Sequence, residues 1–121
     1  MLNSKKLFTK ILGALTPQAQ TITLLGFFKN LNGGVYKFGR LCVVNIAVYV
    51  DGTFNANDYY TMSNDLPPAS VTSALTLTTA NNAGSRRGVA SVSNSGTLVV
   101  QSGDLELSHY TLYITGVYVL A

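Results

Sequence analysis

The sequence predicts a mainly β chain, an antiparallel, jelly-roll-like β-sandwich preceded by a short N-terminal α-helix, with part of its surface covered by other copies of the chain. Three observations predict it. Runs of alternating apolar and polar residues recur at regular spacing with turn residues between them, enough for seven or eight strands. Two of those runs, 41–50 and 109–120, are apolar on both faces, so both faces need cover. Charged residues make up only 11% of the 121, against about 25% in ordinary globular chains. Ser, Thr and Asn from Asn45 to Ser108 supply part of the polar surface, and other copies of the chain would bury the rest.

The division expected along the chain is a helix and linker over 1–20 and a single β domain over 21–121. In SKKLFTKILGAL (4–15), Leu7, Phe8, Ile11, Leu12 and Leu15 share one helical face. Asn3 or Ser4 can cap its start, and Pro17 stops its continuation. So short a helix is marginal alone and must pack on the body, on sister helices or on a membrane. Lys10 interrupts the apolar run, which argues against a signal peptide. No apolar run is long enough for a transmembrane helix, so membrane insertion is not expected.

TPQAQ (16–20) reads as linker, TITLLGFF (21–28) as a first strand, and NLNGG (30–34) as a turn. The organising strand follows Gly39. Along 41–50, Leu41, Val43, Asn45, Ala47 and Tyr49 face one way and Cys42, Val44, Ile46, Val48 and Val50 the other. DGTFNANDYYTM (51–62) begins as a turn and reaches a strand near Tyr59–Ser63. Pro67 and Pro68 make 65–70 a rigid loop. Residues 71–79 form a half-buried strand with a threonine-coated outer face. NNAGSRR (81–87) is a polar hairpin loop. A strand near 89–93, a tight SNSG turn at 93–96, a strand over 97–102 and a long closing strand over 109–121 complete the chain. Strands 41–50 and 109–120 are expected to lie adjacent near a subunit interface, with Tyr49 and Tyr118 in it.

The order YKFGR (36–40), a long strand, a Leu-Pro loop (66–68), SNSGTLVV (93–100) and a tyrosine-bearing last strand resembles the C-terminal head domain of bacteriophage tail fibre, tail spike and baseplate proteins. The likeness covers 35–121 and rests on the order and spacing of its pieces. It departs where Pro68 directly follows Leu66-Pro67, since the family's loop usually continues through an Arg-Pro. The resemblance implies a homotrimeric receptor-binding head on the phage tail, exposed to the host exterior. It would attach to other tail or baseplate proteins and bind the bacterial surface, commonly a saccharide. The alternative is a structural virion protein, a trimerisation cap or capsid decoration without a ligand. A trimer would also give Phe8, Ile11 and Leu15 a coiled seam to occupy.

Charge and chemistry narrow the function further. The net charge of +3 comes from Lys5, Lys6 and Lys10, and the remainder of the chain is balanced, so no basic stripe suits nucleic acid. His109 is the only histidine and Cys42 the only cysteine. Multi-His, Cys-His and disulfide chemistry therefore lack members, and neither an enzyme nor a cofactor or metal is expected. Cys42 reads as a buried small hydrophobe. His109 beside Glu106 is either an acid–base pair or, more simply, a surface hydrogen-bonding pair. Asp51, Asp58 and Asp65 can be read as turn formers, as glycoside-cleaving carboxylates, or with Asn55 and Asn57 as calcium ligands. Two patches suit sugar binding, where rings stack on aromatics and hydroxyls need fixed polar partners. One is Asn57, Asp58, Tyr59 and Tyr60. The other is Asn81, Asn82, Arg86 and Arg87, whose cationic forks fit anionic sugars or phosphates.

Overall fold

A computed structural model describes residues 16–79 and 88–121. Its eight strands are β1 (Gln18–Gln20), β2 (Phe28–Phe38), β3 (Leu41–Val50), β4 (Tyr59–Ser63), β5 (Ser73–Thr79), β6 (Gly88–Val92), β7 (Leu98–Ser102) and β8 (Thr111–Val119). All pair antiparallel in one curled sheet of order β1-β2-β3-β8-β5-β6-β7-β4. The eight strands are thus hydrogen-bonded in one continuous sheet. No helix occurs among the described residues, and the helix expected over 4–15 lies outside them.

The period of two decides which side of the sheet is core. β3 and β8 pair without a break from Leu41↔Val119 to Tyr49↔Thr111, so the two runs do lie adjacent. Cys42, Val44, Ile46, Val48 and Val50 face inward with Leu112, Ile114 and Tyr118. Leu75, Leu77, Ala90, Val92, Leu98 and Val100 join them from the other half of the sheet, in one continuous core. Burying one such aliphatic side chain contributes about 1.5–3 kcal/mol, so the inner row is what stabilises the ladder. The odd-numbered residues of β3 and β8 face outward. There Leu41, Val117 and Val119 stay exposed, Val117 at 56%.

That parity corrects one expected interface residue. Tyr49 pairs with Thr111 on the outer face, but Tyr118 pairs with Cys42 on the inner one. Tyr118 is only 3% exposed, and its hydroxyl donates to the Pro67 carbonyl oxygen at 2.7 Å. It ties the Leu66–Pro68 loop to the sheet within one chain. Burial, and then the neighbouring Cys42, push its phenol well above the ordinary tyrosine range. Burial likewise raises the Cys42 thiol, with Tyr118 and Lys37 opposing.

The N-terminal stretch departs from expectation. NLNGG is not a turn: it lies inside β2, where the register slips by one residue between Lys29↔Tyr49 and Asn32↔Ala47. Asn30 (φ 56°) and Gly33 (φ 80°) take left-handed conformations there, so their turn chemistry serves a bulged strand. A side chain at Gly33 would collide with the Asn45 carbonyl. Residues 21–27 form no strand, because Gly26 (φ 60°) and the Phe28 N–H bond to the Leu25 carbonyl turn the chain. The first strand is instead Gln18–Gln20, read as linker because it carries no apolar alternation.

This stretch bridges the two edges of the curled sheet. Leu25 N–H donates to the Met62 carbonyl at 2.9 Å, and Thr23 N–H donates to both Asp65 carboxylate oxygens at 3.0 and 3.1 Å. Buried Ser63 donates its hydroxyl to the same carboxylate at 2.6 Å. Desolvation pushes the Asp65 carboxyl up, but these hydrogen bonds outweigh it and hold it below the usual carboxylate value.

Two predictions follow from these bonds. Tyr118→Phe leaves the Pro67 carbonyl without its donor and should cost about 1–3 kcal/mol in chemical denaturation. An unchanged midpoint would remove the tie from the fold's stability. Asp65→Asn should cost about 1 kcal/mol at neutral pH, a low figure because the carboxylate is exposed and screened. A depressed native pKa stabilises the fold above the unfolded carboxylate value of about 3.9, and that contribution is lost as pH falls through the native value. The gap in Tm between wild type and Asp65→Asn should therefore close on acidification. A gap independent of pH would contradict the assignment.

Candidate functional site

The loop from β3 to β4 is anchored by one fully buried aromatic, Phe54. Its amide donates to Ser108 Oγ at 2.8 Å, and its carbonyl accepts from Leu107 N–H at 2.8 Å. Beyond it, Asn57 adopts φ 59°, a left-handed conformation that asparagine tolerates better than most residues. Its amide donates to the Gly103 carbonyl at 2.8 Å.

Ser102, at the end of β7, fixes the rest of the loop. It is buried, and its hydroxyl donates to the Asn55 carbonyl at 2.6 Å while accepting from the Asp58 amide at 3.0 Å. Its own amide donates to the Asp58 carbonyl at 2.9 Å. One serine thus satisfies groups on both sides of the turn. Sequence reading missed it, because a serine at a strand end resembles any other surface serine.

The loop delivers Tyr59 and Tyr60 to the start of β4. Neither is buried, although one of two neighbours on a strand ordinarily points into the core. Tyr59 is 70% exposed on the outer side, paired with Gln101. Tyr60, 36% exposed, sits at the rim of the core side, opposite buried Val100. Its ring packs edge-on against Phe27 (centroids 4.8 Å, 64°) and Phe54 (5.0 Å, 80°). Phe28 closes the cluster edge-on to Phe27 at 4.9 Å. Such pairs contribute about 0.5–1.5 kcal/mol each beyond burial, so the tyrosine ring is held before any ligand arrives.

Beside this ring runs a small groove of about 140 Å³, lined by Leu25, Gly26, Phe27, Phe28, Tyr60 and Thr61. It lies where segment 25–28 passes the free edge of β4. Asp58 neighbours this wall, with Oδ2 accepting a long hydrogen bond from the Tyr60 hydroxyl at 3.4 Å. Desolvation raises the Tyr60 phenol, and the Asp58 carboxylate adds to this by its charge and by that bond. The residues expected at 57–60 are therefore brought together. The partners from 25–28 were not foreseen, because Phe27 and Phe28 were assigned to a strand.

Asn81, Asn82, Arg86 and Arg87 lie outside the described residues, as do Phe8, Ile11 and Leu15. The ends flanking 80–87 are placed: Thr79 pairs with Leu112, and Gly88 with Ser102, the residue that pins the Asn55–Asp58 turn. His109, at φ 60°, has its Nδ1 3.4 Å from the Tyr49 hydroxyl, and Glu106 accepts from Ser108 Oγ at 3.4 Å. Among the described residues, no three His, Cys, Asp or Glu side chains gather as a metal would require. Of the three aspartates read together as turn formers, carboxylate catalysts or calcium ligands, Asp65 is engaged by Thr23 and Ser63. The chain matches no protein-family model and no curated protein.

Ser102→Ala should destabilise the fold by about 1 kcal/mol, because it removes the hydroxyl that bonds the part-buried Asn55 carbonyl and Asp58 amide. It should also speed hydrogen exchange at the Asn57 and Asp58 amides more than elsewhere. Uniform exchange across the sheet would show that Ser102 does not hold the turn.

Proposed function

We propose that the chain is a receptor-binding head of a bacteriophage tail fibre or baseplate protein, displayed on the virion's tail, that attaches to a saccharide of the host bacterial surface. The observation that carries this reading is the Tyr60 ring, held against Phe27 and Phe54 at the wall of the groove, with the Asp58 carboxylate at its hydroxyl and Asn57 and exposed Tyr59 beside it in the chain. It offers sugar rings an apolar face and their hydroxyls fixed polar partners. The motif order from YKFGR to the tyrosine-bearing last strand supports the same reading. The head is a binder and not a catalyst. Its one histidine contacts Tyr49, and its Asp65 carboxylate is used in closing the sheet.

In this reading the curled sheet is a jelly-roll-like sandwich, with β1, β2, β3 and β8 as one layer and β5, β6, β7 and β4 as the other. Three copies pack through the outer face of the first layer. Tyr36 and Phe38 on β2, Leu41, Val43 and Tyr49 on β3, and Val117 and Val119 on β8 supply an apolar surface suited to that contact. The same face supports the second reading, a structural virion piece that trimerises, binds its tail or baseplate neighbours and takes no ligand.

Light scattering after gel filtration should give the mass of three 12.9 kDa chains. Val117→Asp should give single chains with an unchanged far-UV spectrum. A wild-type monomer would remove the trimer from the proposal. A pull-down on whole bacterial surface polysaccharide separates the two readings: the head retains it and Tyr60→Ala weakens it, whereas the structural piece retains none.

A further inference from the structure

The charge around the groove narrows the ligand. Every residue lining it is neutral, and the Asp58 carboxylate accepts a hydrogen bond from the hydroxyl of Tyr60, one of the lining residues. Asp51 lies on the same β3–β4 loop. Asp104 and Glu106 lie on the β7–β8 segment bonded to that loop through Gly103, Leu107 and Ser108. Four of the five described acids therefore stand at this end of the sheet. The described cations are directed elsewhere. Lys37 and Arg40 belong to the β2–β3 hairpin at the opposite end, where Phe38 pairs with Leu41. Lys29 is exposed in register with Tyr49, on the outer face, while its neighbour Phe28 is buried.

An anionic sugar or polyol phosphate seated on Tyr60 would meet a carboxylate within a few ångströms and no described cation. A neutral sugar meets a good acceptor, because an ionised carboxylate takes hydrogen bonds from two hydroxyls and donates none. The groove is also small. At about 140 Å³ it falls below the roughly 300–1,000 Å³ of pockets that engulf a whole ligand, so it accepts one ring lying on its wall.

We infer that the groove between segment 25–28 and β4 takes a single uncharged pyranose, stacked on Tyr60 with its hydroxyls donating to Asp58, and that it discriminates against anionic sugars. The inference rests on the saccharide reading above and specifies its ligand class. It assigns the selectivity to Asp58.

The test is affinity electrophoresis of the full chain in gels containing either a neutral glucan or N-acetylglucosamine polymer, or an anionic polyuronate or glycerol-phosphate polymer. Retardation is expected with a neutral polymer, unchanged by added salt, and absent with the anionic ones. Asp58→Asn keeps the backbone bonds that hold the loop and should raise retention by the anionic polymers about tenfold, the equivalent of roughly 1.4 kcal/mol. Tyr60→Ala should lose about tenfold in affinity for the neutral polymer. Tyr60→Phe, which keeps the packed ring, should retain most of it and controls for folding. Salt-sensitive retention by the anionic polymers that Arg86→Ala/Arg87→Ala abolishes would overturn the inference and leave saccharide attachment standing. Retention by none of the polymers, with whole surface polysaccharide also unbound, would overturn both.

Discussion

The β3–β8 ladder is the constraint on which the rest of the structure depends. It joins residues some seventy positions apart in an unbroken register, from Leu41↔Val119 to Tyr49↔Thr111. The last strand of the chain thereby lies between β3 and β5, with neighbours on both sides. A slip of one residue would send Val44, Ile46, Leu112 and Ile114 outward, so burial enforces the register. Everything else hangs from that pairing. β2 folds back on β3 through Gly39, β5 starts the second half from the far edge of β8, and the Pro67 loop is tied down by Tyr118.

The ladder explains the core but does not close the sheet. Closure falls to segment 22–28, which is short and held by few bonds: Thr23 to Asp65, Leu25 to Met62, Asp51 to the Phe27 carbonyl, and the buried side chains of Ile22 and Phe28. Exposed strand edges invite unwanted pairing, and a segment laid along β4 blunts one of them. The bulge in β2 serves the same end. By adding a residue between Lys29 and Asn32, it bends the strand so that Phe28 can turn inward toward Phe54.

How much of this was legible depends on whether local chemistry and tertiary use agreed. Strands 41–50, 73–79, 88–92, 98–102 and 111–119 show a clean period of two, and the structure uses it as such. Residues 28–38 did not show it, because Asn30 and Gly33 are good turn residues employed inside a strand. Gln18–Gln20 was illegible for the opposite reason: an edge strand pairing only with Val35–Lys37 needs no apolar side chains. Alternation alone also could not say which face of β8 was inner, since Tyr113 and Tyr118 belong to equally apolar rows. The answer lies in Tyr118's bond to Pro67, which no local pattern announces. In the candidate site, Asn57–Tyr60 were visible as polar and aromatic neighbours. Ser102 and Phe27 were not, because their roles arise only when the β7 end and the segment before β2 meet the loop.

That meeting place is where incomplete closure and rigid support coincide. Segment 25–28 and β4 share one backbone bond, from Leu25 to Met62, and then diverge around the groove. A gap of this kind normally weakens a small domain, since it leaves an edge and part of the core open to water. Here the opening is walled by a ring that is already ordered, Tyr60 packed on Phe27 and Phe54, and the backbone of neighbouring Asp58 is fixed by Ser102. Ordering a side chain is part of what binding ordinarily costs, at about 0.5–1.5 kcal/mol each. A rim ordered by the fold itself avoids that cost, which is what the proposed saccharide reading requires of so shallow a groove. The same packing that shields Phe54 from water thus prepares the surface on which a ligand would lie.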